Sequence, residues 1–130
     1  MPSVELDVEG DALDAERIEF LATVALASAG VRDGHLAVAF VDAERIAALN
    51  AEHRDKDGPT DVLSFPIDGA DESIPPAQRE LGDVVICPAH TVDLEEAIVH
   101  GVLHLVGMDH ETDAGEMLAL QDQLMAWLRA

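Results

Sequence analysis

The chain's 130 residues carry 27 acidic and seven basic side chains, a formal net charge of −20. Such a surface repels phosphate over most of its area, which excludes broad nucleic-acid coating and polybasic membrane contact and leaves any nucleic-acid partner a small local basic site. An apolar fraction of 48% excludes global disorder, and the single cysteine excludes an internal disulfide and fits a reducing cytoplasm.

The length suits a single domain with one core. The opening MPSVELDVEG is acidic where a secretory signal needs positive charge, and FLATVALASAG ends at Gly30 too early to cross a bilayer. The expectation is a cytoplasmic protein without a membrane segment. Val4, Leu6 and Val8 alternate with polar residues and predict a strand with one buried face. Asp14 is a candidate N-cap, with Leu13 as staple, for a helix running to about Gly30 on a stripe of Ile18, Leu21, Val24 and Ala25. Leu36–Val41, apolar on both faces, predicts a central strand. Asp42 caps a short helix carrying Ile46 and Leu49, which decays into the charged loop HRDKDGPT. Val62–Phe65 is a short strand cut off by Pro66. Residues 68–80 read as an exposed, mobile acidic loop, and Asp83–Cys87 as a fourth strand. Asp93 with Glu96 opens one helix and Asp113 with Glu116 another, the last packing through Met117, Leu120, Leu124, Trp127 and Leu128. The order is βαβαββαα: an α+β domain, a four-stranded mixed sheet packed with helices.

The chemistry concentrates in HGVLHLVGMDH, from His100 to His110. Residues four apart share a helix face, so His100 and His104 can aim at one point. Gly107 suits the left-handed turn that ends a helix and can return His110 to the same point. Three imidazoles without a fourth ligand make the donor set of a catalytic zinc site, on a central helix and the turn after it; structural sites close with four ligands and favour cysteine. Nickel, iron and copper also accept imidazole, so zinc, one per chain, is inferred from the pattern. The plain alternative is three unrelated polar residues, which this spacing makes the poorer reading. His35, His53 and His90 stand alone in sequence, Cys87 ends an apolar strand, and Ser64 lacks the glycine-flanked elbow of a hydrolase nucleophile. Asp109 suits orienting a ligand or capping the turn equally well.

Together with LNAEHRDKDGPTDVLSFP (Leu49–Pro66) and LGDVVICP (Leu81–Pro88), the histidine stretch makes the chain resemble the YbeY family of bacterial metal-dependent endoribonucleases. The resemblance implies zinc on His100, His104 and His110 and a functional arginine at Arg54. A guanidinium there suits charge building on a phosphate, because it stays charged and binds in two-pronged fashion. It also implies single-stranded RNA as substrate, in small-subunit (16S) rRNA maturation and ribosome quality control, with the ribosomal small subunit and its proteins as partners. Oligomeric state is not implied. Met108 stands where the family commonly has tyrosine, and the segment between Pro88 and Leu94 is shorter than usual, so that part of the metal helix, or a helix before it, is expected to be missing.

Two other function classes fit parts of the pattern. A non-enzymatic ribosome-assembly factor could use zinc to hold the fold and its acidic surface to contact basic proteins. A metzincin-like metallopeptidase shares the histidine spacing, but those enzymes place a glutamate base directly after the first histidine, where this chain has Gly101. Glu96, one turn earlier, is the nearest substitute.

Overall fold

The computed structural model describes residues 3–69, 71, 73–75, 78–109 and 112–130. The elements follow the expected order: β1 (Ser3–Glu9), α1 (Ala15–Ser28), β2 (Asp33–Phe40), α2 (Ala43–Arg54), β3 (Val62–Pro66), β4 (Glu80–Ile86), α3 (Leu94–Leu105) and α4 (Glu116–Leu128). The strands form one mixed sheet in the order β1-β2-β4-β3, with β1, β2 and β4 parallel and β3 antiparallel at the edge. This is the single-domain α+β architecture expected.

The alternation in β1 sets which face is buried. Leu6 and Val8 lie beside Leu36 and Val38 of β2, and Val38 lies beside Val84 of β4. Against this face pack α1 and α3, with α4 laid on those two helices, and the buried side chains of all three form the main core with the sheet. A smaller core on the opposite face joins Ile46 of α2 to Leu63, Val85 and Cys87. Asp42 caps α2 as expected, accepting from the Arg45 backbone N–H at 2.8 Å.

Several local expectations change. In α1 the buried stripe is Ile18, Leu21, Ala22, Ala25 and Leu26, and Val24 is only half-buried. The packed face is therefore the wider i, i+3, i+4, i+7, i+8 stripe, which apolarity alone did not separate from the neighbouring Val24. β2 is interior in strand order, but only Gly34, Leu36 and Val38 are buried. Ala37 and Ala39 face the side that α2 covers incompletely. In α4 the buried line is Met117, Gln121 and Met125, while Trp127 is 62% exposed and stacks on Phe20 with ring centroids 6.3 Å apart. That helix also begins later than the Asp113–Glu116 box suggested: Asp113 accepts from the Gly115 and Met117 backbone N–H groups, and the first helical residue is Glu116. In the 68–80 segment, residues 70, 72, 76 and 77 lie outside the described residues. Its ends are anchored, since Asp68 exchanges two hydrogen bonds with the Glu80 backbone and Arg79 is buried.

On the open face of the sheet His35 lies between the carboxylates of Glu80 on β4 and Asp7 on β1, hydrogen-bonded to both. Those bonds, Glu80 first, raise its pKa above the ordinary imidazole value. A raised folded-state pKa means the clamp stabilises fully below the unfolded value of roughly 6.5 and is lost as pH rises through the folded value. The thermal midpoint of the wild type should therefore exceed that of His35→Gln in mild acid, with the gap closing toward alkaline pH. A gap that is constant across the titration would refute the clamp.

Candidate active site

Between Ala97 and Leu105 every residue of α3 is buried except His100 and His104. The helix is thus a core element that shows one narrow strip to solvent, and both histidines stand on that strip. Their rings lie 4.7 Å apart between centroids, with planes at 74°. Asp93 caps the helix start, accepting from the Glu96 backbone N–H at 3.1 Å. A short 3₁₀ turn, Pro88–His90, precedes the helix, and the chain between them leads directly into the Asp93 cap.

The far end of α3 closes as a Schellman turn. The Met108 N–H donates to the Leu103 carbonyl and the Gly107 N–H to that of His104, with Gly107 at φ 95°. The following turn is held by the Asp109 carbonyl, which accepts from the Thr112 and Asp113 N–H groups. His110, the third expected ligand, lies outside the described residues. Among the described residues no group of three His, Cys, Asp or Glu side chains forms a metal cage; His100 and His104 supply two donors.

Both histidines open into a cleft of about 970 Å³, floored by α3 and walled by β3 and by the segments flanking α3 and α4. Arg54, the last residue of α2, reaches the same cleft from across the sheet edge and is exposed. It is the only arginine or lysine among the described lining residues, against the carboxylates of Asp61, Asp93, Glu96 and Asp109. Arg129 pairs with Asp93 at 2.6 Å, and Arg17 with Glu95 at 2.7 Å; these bonds hold both carboxyls below their usual range. The cleft is therefore anionic, and among its described lining residues only Arg54 carries a side chain of the sign that would attract an anionic substrate.

Among the other residues considered from sequence, His90 lines the cleft, whereas His35 is held on the open sheet face and His53 packs edge-on against Phe65. Lys56 is exposed and is not among the described lining residues. Cys87 is fully buried. Ser64 donates to the Gly101 carbonyl at 2.9 Å and so ties β3 to α3. The residue missed was Gln121: buried on α4, it places Oε1 2.7 Å from His100 Nδ1. The available signal was a polar amide midway between Met117 and Met125 on the core line of an amphipathic helix.

Gly101 points away from the cleft. A Cβ there would stand 2.5 Å from Val84 Cγ1, so α3 can lie this close to β4 only with no side chain at that position. A glutamate base directly after the first histidine has no room.

A family model described as Endoribonuclease YbeY matches residues 5–129. The Endoribonuclease YbeY of Rubrobacter xylanophilus is 44% identical over 126 residues, covering 92% of this chain and 89% of that protein. That of Acinetobacter baylyi is 45% identical over 114 residues, covering 74% and 70%. The solution structure of TM1509 from Thermotoga maritima overlays with a TM-score of 0.53 at 27% identity, covering 93% of this chain and 85% of that one. With the histidine strip, Arg54 and the mixed sheet in the same chain, these matches lead to one statement: the chain belongs to the YbeY endoribonuclease family.

Proposed function

We propose that this protein is a zinc-dependent, single-strand-specific endoribonuclease acting in 16S rRNA maturation and ribosome quality control in the cytoplasm, with the ribosomal small subunit and its proteins as partners. The observation that carries the reading is the pair His100 and His104, the only polar cleft-lining side chains along the buried length of α3, with Arg54 on the same cleft. His100, His104 and His110 would hold the zinc. The donor chemistry fits: imidazole is a preferred zinc ligand, and the carboxylates around the cleft favour a cation. When bound, zinc supplies a Lewis acid for phosphoryl oxygens.

Everything else falls to the chain's own groups. Arg54 offers a planar fork that two oxygens of one phosphate can accept from. Asp61, Glu96 and Asp109 repel phosphate placed anywhere else in the cleft, which narrows where an RNA strand can settle. A duplex carries the same repulsion on two strands, whereas a single strand exposes one, consistent with single-strand preference. The closed approach to Gly101 weighs against the peptidase alternative.

The test is zinc content together with cleavage of single-stranded and duplex RNA of one sequence. About one zinc per chain and cutting confined to the single strand are expected. Cleavage that survives exhaustive chelation would overturn the reading. Arg54→Ala should retain zinc and lose roughly 10²- to 10³-fold in cleavage, the scale of removing one preorganised donor to a transition-state anion. An unchanged rate would remove Arg54 from the mechanism.

A further inference from the structure

We propose that Gln121 is a positioning residue for the metal site: its side-chain oxygen selects the Nδ1–H tautomer of His100 and thereby commits Nε2 to the cation. The inference rests on the metal reading above and names how one of its ligands is prepared. Gln121 occupies the middle of the buried line Met117, Gln121, Met125 and is 6% exposed. A buried amide is costly unless its oxygen and nitrogen are bonded, while methionine would continue the line without that cost and with similar helix propensity. The amide at this position therefore calls for a partner that uses it, and that partner is His100 Nδ1, 2.7 Å from Oε1.

A carbonyl oxygen can only accept, so the ring nitrogen facing it donates. A neutral imidazole has one N–H. With Nδ1 protonated, Nε2 carries the lone pair that a metal ligand must present. In water the neutral ring favours the opposite tautomer, so the bond to Gln121 reverses an intrinsic preference. The orienting group comes from α4 and the ligand from α3, so the docking of α4 and the preparation of His100 are one event. An amide also does this without adding a further negative charge to a cleft already bearing Asp61, Asp93, Glu96 and Asp109.

The decisive variants are Gln121→Met and Gln121→Glu. In metal-free wild type above the imidazole titration, long-range proton–nitrogen correlation spectra should show His100 protonated at Nδ1, with its signals assigned against His100→Gln. Gln121→Met should shift His100 toward the Nε2–H form, leave the metal-free thermal midpoint equal to or above wild type, and weaken zinc binding roughly 10- to 100-fold in competition with a chelator. Gln121→Glu, which keeps an acceptor oxygen, should restore most of the zinc affinity. Gln121→Met with wild-type affinity, or a wild-type ring protonated at Nε2, overturns the role of Gln121 while leaving the metal reading intact. A wild type with the expected tautomer that takes up no zinc overturns the proposed function and, with it, the role assigned to Gln121 toward a metal.

Discussion

His104→Ala is expected to reduce zinc content from about one per chain to near zero and RNA cleavage by at least about 10³-fold, the rate equivalent of several kcal/mol of charge stabilisation. The fold should survive. His104 is one of two residues on the buried length of α3 that are not themselves buried, and alanine is the best helix former, so truncation removes a cleft side chain without opening the core. Urea unfolding of the metal-free variant should therefore superimpose on that of metal-free wild type to within about 1 kcal/mol. Added zinc separates them. A ligand at a hundred times its dissociation constant stabilises the wild type by about 2.7 kcal/mol, and the variant should gain none of this. A variant that still binds one zinc, or cuts at the wild-type rate, would take His104 out of the site and the enzyme reading with it.

Gly101→Glu is expected to destabilise the domain by about 3–5 kcal/mol, enough to unfold much of it at physiological temperature. Two costs add. The new Cβ would lie 2.5 Å from Val84 Cγ1 and 3.3 Å from Ser64 Oγ, so α3 must move off the sheet or Val84 must leave its place. Val84 is fully buried and β-branched, which leaves it little rotamer freedom. The carboxylate beyond that Cβ would then enter the core with no cation to meet it. Gly101→Ala separates the two, since it brings the clash without the charge and regains about 1 kcal/mol of helix propensity. Its net loss should be smaller, about 1–2 kcal/mol. Urea midpoints of the three proteins measure both terms. Should Gly101→Glu fold as firmly as wild type, the close seating of α3 on β4 would be wrong, and the argument against a glutamate base would fail too.

The histidine strip was legible because helix geometry is local: a separation of four residues places His100 and His104 on one face whatever surrounds them. Gly107 was legible for the same reason, since the Schellman turn it closes uses only the helix's own last carbonyls. Arg54 was readable only through family resemblance; nothing in HRDKDGPT distinguishes it from a solvated loop residue, and its place on the cleft comes from α2 ending at the sheet edge. Trp127 was misjudged because apolarity predicts burial only on average, and on α4 the core line runs through Met125 instead. Gln121 was passed over because a polar residue on an apolar stripe has no visible partner until a second helix is laid against it.

The sequence by itself determined the elements, their order, the capping of α2 and α3, the family and the placing of His100 and His104 on one helix face, because each depends on periodicity, spacing or motif within a short stretch. Only the tertiary structure decided that α3 is buried around those two histidines, that Gly101 has no room for a side chain, and that the oxygen facing His100 comes from Gln121. Those three facts depend on how closely separate elements approach, and contact distances between segments far apart in the chain are set by packing of the whole core.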